Sequence, residues 1–295
     1  MLKKHLISGL LLIVVIGIAA YHRHDVIAVL RGVQASWAIA GFVCLLVNYL
    51  LRAVRLHLLT KGQLNVWPKG IYCICMHGFA TYMLPLRSGD LSLPFLLKST
   101  TGIELQEGAA VLFKARLLEV FTLGLWFLVA AAFPSSKLSG GVLLAMAVCG
   151  IAMVLSPFVL KQLLGLSIIP FETVRKVANR LSKTGRMTLG EISLTCGIWL
   201  SIALGLWCIT FAIQLPLPLM DLFLLIALQL AMQLIPVQGI GNSGNHEGGW
   251  VAALVLLGFP AEAALKFALT SHAIVLVYVL IIGLIALVLR QALIR

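Results

Sequence analysis

Charged side chains interrupt several stretches of this sequence that are otherwise apolar. Arg52 and Arg55 lie in one such stretch, and Lys114, Arg116 and Glu119 lie in another. An Arg or Lys at the centre of a bilayer costs roughly 2.5–3.5 kcal/mol on insertion scales. We therefore expect these side chains to face a polar interior, where guanidinium groups match the oxygen pairs of a phosphate.

A second group of charges surrounds segment 84–90, which has the sequence LPLRSGD. Together the two groups predict a basic cavity that opens to the cytoplasmic leaflet and binds a phosphate headgroup. The alternative is that these cations reach from helix ends to the membrane surface or form ion pairs between helices. The candidate binding residues of this half are Arg52, Arg55, Arg87, Asp90, Lys98, Lys114, Arg116 and Glu119.

The glycine-rich segment 239–249 (GIGNSGNHEGG) supplies the other candidates. Its start matches the dinucleotide-binding pattern GxGxxG, but that pattern requires a preceding strand, and here a membrane segment precedes it. A zinc-protease motif is excluded because Trp250 stands where the second histidine is required. Amides at the start of a half-helix favour an anion, and His or Glu can carry a proton. This predicts a polar binding segment of Asn245, His246 and Glu247, joined by His272; the alternative is a loop whose Glu247 only stabilises a helix N-terminus.

The sequence gives little indication of catalysis, metal binding or nucleic-acid binding. No nucleophile–base pair and no set of metal ligands stands at a convincing spacing, and the six cysteines all lie in apolar stretches, where free cysteine behaves as a small hydrophobic residue. The net charge of +12 falls mostly between apolar runs, where it meets lipid headgroups rather than nucleic acid. We therefore expect no enzymatic activity, no cofactor, no metal and no nucleic-acid partner.

The elements that must hold these residues are helices in a membrane. Apolar residues make up 61% of the 295 positions, charged residues make up 11%, and the mean hydropathy is +1.07. A membrane-crossing helix needs about 20 apolar residues. The sequence predicts an all-α, polytopic membrane protein with six spans, at 6–21, 36–59, 104–133, 138–160, 189–214 and 261–290.

Two further apolar stretches, 70–98 and 219–258, are broken in the middle by proline, glycine and polar residues. Proline removes a helix hydrogen bond and glycine loosens the backbone. Non-helical backbone survives at membrane depth only where it is buried in protein or lines a wet cavity. We therefore predict two re-entrant hairpins in addition to the six spans.

The hairpins belong to an internal repeat in which each half contains a span, a broken hairpin, a glycine and a long span. Pro85 corresponds to Pro236, and Gly102 corresponds to Gly258. Because one span and a basic segment separate the halves, the second half is inverted relative to the first, a pattern typical of transporters. The chain is then a single membrane domain (1–295) with an N-terminal anchor helix (1–35), a first repeat (36–133), a linking span with a basic amphipathic cytoplasmic segment (134–188) and a second repeat (189–295).

The distribution of Lys and Arg predicts the orientation. We expect a multi-pass protein of the inner (cytoplasmic) membrane with both termini in the cytoplasm, because basic residues concentrate on that side. Segment 161–187 fits a basic amphipathic helix on the anionic inner leaflet or, equally, a solvated linker. The residues expected on the cytoplasmic side are Lys3, Lys4, Lys61, Lys69, Lys161, Arg175, Lys176, Arg180, Lys183, Arg186, Arg290 and Arg295, against Arg23, Arg31 and Lys137 on the other side.

With these features the chain resembles the lysylphosphatidylglycerol synthase transmembrane-region family over residues 40–290. The resemblance rests on Arg52 and Arg55, on the runs 84–90 and 114–119, and on residues 236–247 followed by LGFP. Asp90 stands where the family usually has glutamate, and the glycine loop is longer than the usual form. The resemblance implies translocation of lipid between leaflets.

Two functions are open from the sequence. The first is a flippase or scramblase that moves an anionic lipid, such as a phospholipid or a polyprenyl phosphate, between leaflets. The second is a membrane-embedded enzyme or accessory subunit in lipid or glycan assembly. We favour the first because paired broken helices around buried charge are what a transporter needs. The expected partners are membrane lipids with an anionic headgroup, and a homo-oligomer is left open.

Overall fold

The computed structural model describes residues 23–132, 138–164, 186–218 and 238–294, together with 13, 15–18, 20–21, 176–177, 179–181, 221 and 225–227. Helices are the only regular secondary structure in these residues, so the all-α prediction is confirmed. The α-helices are α1 (Arg23–Arg31), α2 (Ala35–Leu59), α3 (Ile71–Met83), α4 (Ser92–Thr101), α5 (Leu105–Ala132), α6 (Gly140–Leu164), α7 (Leu189–Ala212), α8 (Asn245–Leu256) and α9 (Ala261–Ile294), with a π-helical turn at Val66–Gly70 and 3₁₀ turns at Pro85–Leu91 and Ile240–Asn242.

Five helices (α2, α5, α6, α7 and α9) are long and apolar enough to cross a membrane. They correspond to five of the six predicted spans, with boundaries that differ by at most four residues. Large apolar side chains such as Leu284 and Val288 of α9 point outward, as lipid-facing residues do. The sixth predicted span, 6–21, lies mostly outside the described residues.

The first broken hairpin is formed by α3 and α4, which have 13 and 10 residues and are each too short to cross a bilayer. The Nζ of Lys69, just before α3, donates a hydrogen bond to the carbonyl oxygen of Thr100 at the end of α4 (3.2 Å). The chain therefore enters and leaves at the same end of the bundle. This confirms the predicted re-entrant hairpin.

The turn of this hairpin is tight. A Cβ on Gly89 would lie 2.2 Å from the carbonyl oxygen of Ala80, so only glycine lets the two arms approach this closely. Leu86 and Arg87 adopt left-handed backbone conformations, with φ of 56° and 55°. Such conformations cost about 1–2 kcal/mol for residues other than glycine, and in membrane proteins and enzymes they are typical of functional sites.

The structure describes the turn and the second arm of the second hairpin. The chain turns through Gly241, Asn242 and Gly244, all with positive φ, and continues into the 12-residue helix α8. The first arm, within 219–237, lies mostly outside the described residues. Its residues 225–227 are buried in the same apolar cluster as Trp250 of α8.

Two apolar clusters show how the long helices run. One cluster contains both Leu118 of α5 and Ile282 of α9. The other cluster contains both Phe127 of α5 and Phe267 of α9. Residue numbers rise along α5 and fall along α9 between the same two clusters, so the two helices are antiparallel. This is the arrangement that an inverted repeat predicts.

Most of the described basic residues outside the bundle core lie at the end where the first hairpin enters, whereas Arg23, Arg31 and Lys266 lie toward the other end. The end where the first hairpin enters contains the loop after α2, the start of α7 and the end of α9. Of segment 161–187, residues 176–177 and 179–181 beyond the end of α6 are helical, and Arg180 forms an exposed ion pair with Glu104 (2.9 Å). The rest of the predicted amphipathic segment lies largely outside the described residues.

The close approach at Gly89 yields a stability prediction. Gly89→Ala forces a methyl group against the backbone of Ala80 and should lower the free energy of unfolding by about 1–3 kcal/mol, as overpacking does. Gly140→Ala is the matched control, because nothing lies within 4 Å of the added Cβ. Unfolding in mixed detergent micelles measures both variants. Equal stability of the two variants would contradict the tight turn.

Candidate functional site

The tips of the two broken hairpins meet in the interior. The backbone N–H of Leu86 donates to the carbonyl oxygen of Gln238 (2.9 Å). In return, the Nε2 of Gln238 donates to the carbonyl oxygens of Thr81 (2.7 Å) and Leu84 (3.2 Å). Each irregular segment thus satisfies backbone groups of the other where water and helical partners are lacking.

A network of ion pairs lies beside these tips. Glu119 of α5 accepts from Arg55 Nη2 on Oε1 (2.8 Å) and from Arg116 Nη1 on Oε2 (2.5 Å). Arg116 also contacts Asp90 Oδ1 through Nη2 (2.5 Å). Arg55 donates further to Thr195 Oγ1 of α7 (3.2 Å). The network therefore joins α2, α5, α7 and the first hairpin through two acids and two arginines.

Two more arginines border the same space. Within the described part of the chain, Arg52 and Arg87 form no ion pair and no side-chain hydrogen bond, and the Nε atom of each is buried without a partner. Both line a cavity of about 300 Å³, together with Arg116 and Glu119. A buried donor without a partner costs about 1–3 kcal/mol. The cavity is therefore bordered by guanidinium donors that have no acceptor among the described residues.

The cavity lies between the middle of four long helices and both hairpin tips. It is polar where the tips and arginines border it and apolar along α7 and α9, so it suits a ligand that is partly charged and partly apolar. Its lining also includes Asn48, Tyr49, His77, Thr81, Tyr82, Trp199, Gln238, Asn242, His246, Val275 and Val279.

The second hairpin contributes a buried acid–histidine pair. The Nδ1 of His272 contacts Glu247 Oε1, and its Nε2 lies 2.7 Å from the carbonyl oxygen of Gly241. Since a carbonyl can only accept, Nε2 carries a hydrogen, and one more proton is shared between Nδ1 and the carboxyl group. The pair is then either imidazolium with carboxylate or neutral imidazole with carboxylic acid. In both forms its net charge is zero.

His246 and Asn245 complete this half of the site. The ring of His246 stacks on His272 with centroids 4.7 Å apart, and its Nε2 lies 3.1 Å from Ser271 Oγ. His246 lines the cavity, whereas Asn245 is buried beside it with an unpartnered Nδ2. The backbone N–H of Gly244 donates to Glu247 Oε2 (2.8 Å), which fixes the acid at the start of α8.

The two halves place equivalent residues in equivalent contacts. Arg116 follows Gly102 by fourteen residues, and His272 follows Gly258 by fourteen. Both glycines are left-handed, with φ of 78° and 85°. Arg116 contacts Asp90, and His272 contacts Glu247. Each of these acids lies at the start of the second arm of the hairpin in its own half. The difference lies in the base, because arginine is always cationic, whereas histidine is cationic only when both ring nitrogens carry a hydrogen.

Five of the sequence candidates line the cavity, namely Arg52, Arg87, Arg116, Glu119 and His246. Two of the others, Lys98 and Lys114, lie apart from both the cavity and its ion-pair network. Lys98 is exposed on the outer side of α4. Lys114 is buried but paired with Glu191 of α7 (2.7 Å). Lys114 lies two residues before Arg116, and a helix turns about 100° per residue, so the two side chains point to different sides of α5.

Sequence reasoning also missed several residues. Gln238 joins the hairpin tips, and His77, which lines the cavity, lies 2.9 Å from Ser92 Oγ through its Nδ1. Asn48 donates to the carbonyl oxygen of Ile198 (3.0 Å) and holds α2 against α7. The available signal was a polar side chain inside an apolar stretch, which applies to all three.

Antiparallel spans and two hairpins with meeting tips define an all-α, polytopic membrane protein. The sequence model of the family described as "Lysylphosphatidylglycerol synthase TM region" matches residues 4–283, and the chain belongs to that family. The resemblance expected from the motifs is therefore confirmed. No curated protein and no solved structure matches the chain.

The Lys114–Glu191 pair yields a second stability prediction. Lys114→Met leaves the Glu191 carboxylate buried without its cation and should lower the free energy of unfolding by about 3–5 kcal/mol. Lys114→Met combined with Glu191→Gln removes the charge, and Gln still accepts the bond from the Thr188 N–H that Glu191 accepts. The double variant should recover most of the loss in a micelle unfolding titration. A double variant as unstable as the single one would show that the pair is not the stabilising contact.

Proposed function

We propose that the protein moves an anionic membrane lipid between leaflets, with the headgroup passing through the cavity between the hairpin tips. The observation that carries the proposal is the pair of arginines, Arg52 and Arg87, that face this cavity without an ion-pair partner in the described residues. Cations at membrane depth are costly unless they meet an anion. A lipid phosphate supplies that anion, and its acyl chains can remain in the bilayer.

The arrangement of the hairpins supports transport rather than static binding. In transporters with inverted repeats, substrate sites lie near the membrane midplane where broken helices of the two halves meet, and one half rocks against the other. Here hydrogen bonds of Gln238 join the two tips in the described part of the chain. Breaking and remaking them would let the cavity face either leaflet. The proposal assigns no bond-making chemistry to the protein, and membership of a lipid-related family agrees with it.

The proposed orientation follows the basic residues. We place the end where the first hairpin enters on the cytoplasmic side of the inner membrane, because most of the described Lys and Arg residues outside the core lie there. The end of α9 then lies on the cytoplasmic side, and the proposal places the N-terminus there too because one further span, 6–21, is predicted before α1. In this orientation the arginine-rich hairpin enters from the cytoplasmic leaflet and the glycine-rich hairpin from the opposite leaflet.

Reconstitution in liposomes tests the transport proposal. Fluorescent phosphatidic acid and phosphatidylglycerol should cross faster than phosphatidylcholine, as measured by the fraction that an impermeant quencher reaches. Arg52→Gln and Arg87→Gln should each slow this movement by about tenfold or more, because a hydrogen bond to a charged group contributes about 1.5–3 kcal/mol. Arg290→Gln is the control, since Arg290 is exposed at the end of α9.

Two outcomes would contradict the proposal. Movement of anionic lipid at the wild-type rate by both cavity variants would make the arginines structural. Conversion of the lipid to a new product, with no net movement, would instead support the membrane-embedded enzyme. Thermal unfolding of each variant separates loss of function from loss of the fold.

Cysteine labelling tests the orientation. In a background with the six native cysteines replaced by alanine, Gln63→Cys should react with an impermeant reagent only from the cytoplasmic side. Glu262→Cys should react only from the opposite side. Both positions are exposed, and they lie at opposite ends of the bundle. Labelling of both from one side would overturn the antiparallel arrangement of the two halves.

A further inference from the structure

The charges around the cavity do not balance. The network and the cavity lining contain four arginines, Arg52, Arg55, Arg87 and Arg116. They contain two acids, Asp90 and Glu119, and both are already engaged by Arg55 or Arg116. The neighbouring Lys114–Glu191 and His272–Glu247 pairs are each neutral as pairs. With His77 and His246 neutral, the described surroundings of the cavity carry a surplus of two positive charges.

This surplus sits on Arg52 and Arg87, the two guanidinium groups without partners among the described side chains. Each guanidinium is a planar fork that binds two oxygens of one anion side by side. Two forks facing one cavity therefore call for an anion with two negative charges and more than two terminal oxygens. An anion with a single charge would leave one of these partly buried cations uncompensated, at the cost that membrane depth imposes.

We infer that the headgroup is a phosphate monoester in its dianionic form, an inference that rests on the proposed function. A phosphate monoester carries about −1.5 to −2 charges at pH 7 and three acceptor oxygens. Each of the two guanidinium groups can then bind two of the three terminal oxygens, and one oxygen is shared between them. A phosphate diester carries one negative charge and offers two terminal oxygens, which both forks would have to share. The substrate class is thus a lipid monophosphate rather than a diester phospholipid.

A matched pair of lipids tests this charge argument on the unmodified protein. Dioleoyl phosphatidic acid is the monoester, and dioleoyl phosphatidylmethanol differs by one methyl group that removes one charge and one terminal oxygen. We expect the full chain in nanodiscs to bind phosphatidic acid at least about tenfold more tightly at pH 7.5, a difference of about 1.4 kcal/mol. Its transport in liposomes should show the same preference.

Variants show whether the two arginines set the preference. Arg52→Gln and Arg87→Gln each remove one surplus charge and should bring the affinity ratio of the two lipids to within about threefold, or about 0.7 kcal/mol. Arg290→Gln should keep the full ratio. Because a ratio is measured on one preparation, partial unfolding of a variant lowers both affinities and leaves the comparison intact.

The outcomes separate this inference from the proposed function. If both lipids bind and move equally well, the monoester inference is wrong and lipid transport stands. If neither lipid moves, both are wrong. Inorganic phosphate tests whether the site binds free phosphate instead of a lipid headgroup. We expect phosphate to displace phosphatidic acid only at concentrations about 100-fold higher than those at which the lipid itself competes, since phosphate lacks acyl chains. Phosphate that binds as tightly as the lipid would overturn the assignment to a lipid headgroup.

Discussion

Inside the hydrocarbon region of a membrane no water is present to solvate a guanidinium group or an unpaired peptide group. Every polar group placed there must be satisfied by the protein or by a ligand. The Arg55–Glu119–Arg116–Asp90 network satisfies four side chains at once and ties the first hairpin to two long helices. The position of the hairpin, and with it the shape of the cavity, depends on this network.

The same constraint explains why the two hairpins meet tip to tip. A broken helix exposes carbonyl and N–H groups that its own chain cannot pair. Gln238 and Leu86 pair such groups across the junction between the halves. Polar contacts between irregular segments therefore form the described junction of the two tips.

The halves share a geometry but differ in charge. Arg116 and His272 occupy equivalent positions and contact equivalent acids. The first half nevertheless holds the surplus of cations, whereas the second half contributes a neutral pair, glycines and amides. One side of the cavity therefore carries positive charge, and the other side carries neutral polar groups.

The sequence by itself determined the membrane class, five described spans, the broken hairpins and most of the charged candidates. These features depend on local properties, namely the length of apolar runs, the effect of proline and glycine on a helix, and the cost of charge in lipid. Only the tertiary structure decided which charges share a cavity, because that depends on how each helix is rotated and on contacts between distant residues. It paired Lys114 with Glu191, turned Lys98 outward, and made Gln238 the link between the hairpins. None of these three outcomes can be read from spacing along the chain, since each depends on a partner or a surface that another helix supplies.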